Sequence, residues 1–135
     1  MHLKKSLTLA EARQIAAAAE AEASKNQWNV TIAVLDEGGH LLYLERMDEA
    51  PLGSVVVAQE KARTSVLFRR PTKSIEESVI GGRTVMLALP QATPIEGGLP
   101  LLNGDKLIGG IGVSGVQSAQ DAQIARAGVE VAARF

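Results

Sequence analysis

The stretch Val34-Leu35-Asp36-Glu37-Gly38-Gly39-His40-Leu41-Leu42-Tyr43-Leu44-Glu45-Arg46-Met47-Asp48 holds two runs of strand-forming residues separated by a turn. Gly38 and Gly39 suit a tight turn, so the passage reads as a β-hairpin with strands near Val30–Leu35 and Leu41–Met47. In the first strand Val30, Ile32 and Val34 share one face, and Thr31, Ala33 and Leu35 share the other. Both faces are largely apolar, which predicts a strand covered from two sides. That expectation decides the fold, because a sheet of such strands has to lie between layers of helices.

Helical patterns flank the hairpin. Upstream, Thr8 and Glu11 match a capping box, and Leu9, Ala12, Ala16, Ala19 and Ala23 recur at helical spacing until Asn26–Asn29. Downstream, Pro51 and Gly53 break the chain, and Ser54 is placed to cap a helix that Arg70-Pro71 stops. Val55, Ala58, Ala62 and Val66 mark one face of this helix, whereas Val57, Leu67 and Phe68 lie elsewhere around it. That is more apolar surface than one sheet contact uses, and it predicts an oligomer interface. Thr72, or Ser74 in a capping box with Glu77, opens a further helix, interrupted at Gly81-Gly82 and resuming through Arg83–Leu89. Gln91–Pro100 reads as a structured loop.

Asn103-Gly104 lies between the apolar runs Leu99–Leu102 and Lys106–Val113 and signals a second hairpin. In its second strand Gly110, Gly112 and Ser114 project to one face, and Leu107, Ile111 and Val113 to the other. The small face is a shelf on which a helix or a flat ligand could lie against the backbone. A last helix from about Ser118, with Asp121 at the box position, buries Ile124, Ala125, Gly128, Val131, Ala132 and Phe135. The order helix, hairpin, helices, hairpin, helix predicts an α+β fold: a three-layer α-β-α sandwich around an antiparallel sheet of about 4–6 strands. The 135 residues fit one domain, 1–135.

Composition excludes several function classes. A net charge of -1 and 3% aromatic residues give neither the basic footprint nor the stacking surface of a nucleic-acid binder. The absence of cysteine removes disulfides, thiolate metal sites and thiol catalysis. No run approaches the roughly 18 apolar residues of a membrane span, and the first ten residues lack a signal-peptide core, so the expected location is cytoplasmic. No metal-ligand cluster and no catalytic set can be read. Gly110-Ile111-Gly112-Val113-Ser114-Gly115 satisfies G-x-G-x-x-G, but inside a strand and without a following parallel strand, so it is not a dinucleotide site. His40 is a candidate iron ligand or polar group, and Met47 and Met86 are soft donors or core fillers. Arg46, Asp48 and Lys61 could surround a small carboxylate or a haem propionate; alternatively Asp48 pairs internally with Arg46 or Lys61.

The chain resembles the GlcG/HbpS-like haem-degrading family, also found as the C-terminal domain of PduO-type proteins. The resemblance runs through Asp36-Glu37-Gly38-Gly39-His40-Leu41, Glu45-Arg46-Met47-Asp48, Glu60-Lys61-Ala62-Arg63-Thr64, Arg70-Pro71-Thr72, Glu96-Gly97-Gly98-Leu99-Pro100 and Gly109-Gly110-Ile111-Gly112-Val113-Ser114-Gly115. It implies a profilin-like sandwich, assembly into dimers or higher homo-oligomers, and haem binding or degradation. The ligand contacts would be Gly97 and Gly98 in the loop, Gly110, Gly112 and Ser114 on the shelf, and Arg46 and Lys61 for acidic groups, with His40 as the candidate axial ligand. The first helix, Thr8–Lys25, contains no histidine to serve in that place. The alternative functions are an accessory protein or enzyme for a small hydroxy-acid, aldehyde or diol metabolite, or a structural assembly module.

Overall fold

The first helix, α1 (Leu9–Lys25), starts where its capping box stands: Glu11 N–H donates to the Thr8 hydroxyl, and Thr8 N–H donates to the Glu11 carboxylate. This computed structural model describes all 135 residues. After α1 come β1 (Thr31–Asp36), β2 (Leu41–Arg46), α2 (Ser54–Leu67), α3 (Thr72–Ile80) and a 3-10 helix over Thr84–Ala88. β3 (Gly98–Asn103), β4 (Lys106–Ser114) and α4 (Ser118–Ala132) complete the chain.

The two hairpins join through their inner strands into one antiparallel sheet of order β2-β1-β4-β3. α1 and α4 pack on each other and on one face, and α2 lies on the other, giving the expected α-β-α sandwich. The strand periodicity assigns the layers. Ile32, Val34, Ile111 and Val113 join the larger core beneath α1 and α4, whereas Ala33 and Leu35 meet Ala58 and Ala62 of α2. The alanine stripe of α1 is wholly buried, so the thin side chains bring that helix close to its neighbours.

Three helix starts differ from the sequence expectation. Ser54 is the first residue of α2 rather than its cap; its hydroxyl is tied to Pro51 O and to the buried Thr31 hydroxyl of β1. The helix follows the non-capping Gly53, and burial of its inner face offsets the poor propensity of Val55-Val56-Val57. α3 likewise has no side-chain cap: the Thr72 hydroxyl accepts from Gly98 N–H at 3.0 Å, and Ser74 donates to Pro71 O at 2.8 Å. In α4 the box is formed by Gln117 and Gln120, leaving Asp121 free for a distant partner. The second hairpin ties off that helix, since Asn103 Nδ2 donates to Ala132 O at 3.2 Å and to Phe135 O at 2.7 Å.

Glu45 on β2 faces Glu20 on α1. Burial pushes the Glu45 carboxyl up to about 7, and hydrogen bonding and repulsion from Glu20 add to the shift. The folded value lies above the ordinary 4.5, so the contribution of this group to stability is complete below 4.5 and is lost as pH rises through about 7. The unfolding midpoint is therefore expected to fall between about pH 5 and 8, and Glu45→Gln to flatten that slope, measured by thermal melts in buffers of equal ionic strength.

Candidate functional site

The structure gathers most of the expected ligand residues into one place and closes it. Lys61 projects from α2 toward the sheet, with its side chain 2% exposed. Its ammonium donates to Val113 O at 3.0 Å and to Asp121 Oδ2 at 3.1 Å. The other oxygen of Asp121 accepts from Val116 N–H at 3.2 Å. Burial pushes the Asp121 carboxyl up, and the Lys61 charge and the Val116 N–H pull it the other way. Asp121 takes the place expected for Asp48, so α2, β4 and the first turn of α4 are joined by one buried ion pair.

Gly97, Gly98, Gly110 and Gly112, expected to present a surface to a ligand, lie against α2 and its Lys61 side chain. A Cβ at Gly97, whose φ is +131°, would lie 2.8 Å from Lys61 Nζ. A Cβ at Gly98 would collide with Lys61 O, and one at Gly112 with Ala58 O. At Gly110 it would stand 2.8 Å from Ala62 O. The shelf therefore carries the helix, the first of its two expected occupants, and the Lys61 ammonium is spent within the core. Ser114 is half-buried at the end of β4, paired with Thr31. Arg46 is exposed at the end of β2, in no ion pair with Asp48. His40 is 84% exposed and 3.6 Å from Asp36.

An open groove of about 470 Å³ lies instead beyond the C-terminus of α2, between α3 and the 3-10 helix. Its apolar surface comes from Phe68, Ile75, Met86 and Leu89, and Arg70 and Arg83 line it with two guanidinium groups that make no ion pair. The local chain explains the shape. α2 ends at Leu67, Arg69 turns the chain with a φ of 54°, Pro71 precedes α3, α3 stops at Gly81, and the following 3-10 helix buries none of its residues. Folding back over α3, that segment holds Met86 and Leu89 half-covered beside Ile75. The sequence signal was an apolar cluster, Val85-Met86-Leu87, isolated between glycines and prolines and too short for a core helix. Met86 reads in the sequence as a soft donor, and no local pattern connects Phe68, Arg70, Arg83 and Leu89 with it.

Residues 7–130 match the family described as "Haem degrading protein HbpS-like". Protein GlcG of Escherichia coli K12 is 48% identical over 114 residues, covering 84% of this chain and 85% of that protein. The crystal structure of Klebsiella pneumoniae protein ORFY superposes with a TM-score of 0.92 at 31% identity, covering 100% of this chain and 96% of that one. A crystal structure of a PduOC:Heme complex superposes at 0.83 with 28% identity, covering 93% of this chain and 94% of that chain. With a match that spans nearly its whole length and a relative sharing almost half its residues, this chain belongs to the HbpS-like family.

Proposed function

We propose that this protein binds haem as a homo-oligomer, with the groove between Phe68 and Leu89 as the haem site. The observation that carries the reading is a relative of the same fold in complex with haem, joined to a groove of matching chemistry in this chain. Haem presents a flat apolar macrocycle, two propionates and an iron that accepts soft donors. The groove offers an apolar surface in Phe68, Ile75 and Leu89, two guanidiniums free of carboxylate partners, and one thioether. Arg70 and Arg83 would hold the propionates, since guanidinium groups pair bidentately with carboxylates. Met86 would be the iron ligand, since it is the thioether that lines the groove and neither histidine does. Bound haem supplies a redox-active iron, whose potential depends on that ligand and on burial. Beside the groove Ile80, Val85 and Leu87 project into solvent, 78%, 64% and 60% exposed, and Leu52 and Val56 do so at the other end of α2. Apolar surface of that extent supports self-association into a dimer or larger ring.

Titrating the apo-protein with hemin, with light scattering on the same samples, tests the reading. The expected result is a saturable Soret band at one haem per chain on a dimer or larger species. Arg70→Ala with Arg83→Ala should weaken binding at least about tenfold, the scale of two lost charge-assisted hydrogen bonds, and Met86→Ala should shift the band. A linear, non-saturating response would rule haem out.

A further inference from the structure

The two faces of the sheet are unequally covered. α1 and α4 together lie on one face, whereas α2 alone carries the other, running over β4, β1 and β3 and barely reaching β2. Leu44 of β2 packs on the small core beneath α2 and stays half-buried there. The outer side of α2 presents Val56, Glu60, Arg63 and Leu67, spaced four, three and four residues apart. That is the spacing of the inner positions of a coiled coil, between which a second helix seats its own side chains. Val56 is 63% exposed and Leu67 45%, although both are apolar. Between them Glu60 and Arg63, both partly exposed, form an ion pair with each other. Arg63 and Leu67 lean toward the open strip over β2, since a Cβ at Gly39 in the β1–β2 turn would lie 3.8 Å from a side-chain carbon of each. The ridge is complementary to itself. Laid antiparallel on a second copy about a two-fold axis at its centre, Val56 meets the partner's Leu67 and Glu60 meets the partner's Arg63, and the axis repeats both contacts. The four charges then alternate in sign around the axis, with an apolar contact closing each end. A parallel arrangement would set like charges against each other, so the charges select the antiparallel one. A uniformly acidic or basic partner has no such fit, because the ridge carries one charge of each sign.

We infer that α2 is a contact through which this protein self-associates, a second copy seating its own α2 antiparallel on Val56, Glu60, Arg63 and Leu67. The inference rests on the homo-oligomer part of the reading above and is separate from the haem site, since none of these four residues lines the groove. Sedimentation of the whole protein at micromolar concentration tests it, with Glu60→Arg and Arg63→Glu as variants. The parent is expected as a dimer or a larger even-numbered species. Glu60→Arg makes the charges of the ridge wholly positive and Arg63→Glu makes them wholly negative, so each variant alone should sediment at no more than half the parent's mass. Mixing the two should restore the parent's mass, because the positive ridge of one meets the negative ridge of the other. The double variant Glu60→Arg/Arg63→Glu should keep that mass unaided. Recovery on mixing also shows that both single variants are folded. The parent's mass retained in either single variant would overturn the inference and leave self-association to another face. So would a failure of the mixture, or of the double variant, to assemble while circular dichroism matches the parent. A monomeric parent would overturn it together with the homo-oligomer reading, and would leave the ridge to a different protein.

Discussion

Lys61→Ala is expected to lower the unfolding free energy by about 3–5 kcal/mol, the cost of stripping one partner from a buried ion pair. The Asp121 carboxylate, 3% exposed, would keep only the Val116 N–H as donor. Val113 O would lose its Lys61 donor, and the space left by three methylenes and the ammonium would add a cavity cost. Against a total stability of about 5–15 kcal/mol this is a large fraction. Asp121→Ala should cost a similar amount, because it strands an ammonium instead. The paired replacement Lys61→Met with Asp121→Leu removes both charges and fills the volume, so it should recover most of the loss. Urea unfolding of the two single variants and the Lys61→Ala/Asp121→Ala double variant gives the coupling energy directly. A coupling below about 0.5 kcal/mol would mean that the two groups act independently, and the proposed tie between α2, β4 and α4 would fail.

Such a pair shows where reading the sequence stops. The Thr8–Glu11 box was legible because both partners sit within one helical turn. The two hairpins were legible because their turns and strand periods are local, and the apolar faces of Thr31–Leu35 required helices on both sides. Ser54 and Asp121 looked like ordinary helix-start residues, yet their partners lie 23 and 60 residues away. A capping pattern states that a side chain can satisfy a nearby N–H; tertiary packing decides whether a better partner arrives first. The site was less legible for a related reason. Gly110 and Gly112 announced a close approach to the backbone, but the residue types that admit a flat ligand also admit a helix. The groove beside Met86 draws on three elements that no single periodicity links.

Gly112→Ala is the second variant from which a large effect is expected. A methyl group there would overlap Ala58 O and stand 2.6 Å from Ala62 N, both backbone atoms of α2. Side chains can change rotamer to make room, but helix backbone moves only as a body, so α2 would have to lift from β4. That displacement would also pull Lys61 away from Asp121 and Ala58 and Ala62 from Ala33 and Leu35. Overpacking usually costs about 1–3 kcal/mol, and this case is expected at or above the upper end. Gly53→Ala is the matched control: its φ of -65° suits any residue, and no atom lies within 4 Å of a new Cβ. It should stay within about 0.5 kcal/mol of the parent in urea unfolding. Because the clash is with backbone, trimming Ala58 or Ala62 to glycine should not rescue Gly112→Ala. Rescue by either would show that α2 is seated through its side chains. Failure of both would place the fit between helix and sheet on the missing Cβ of Gly112.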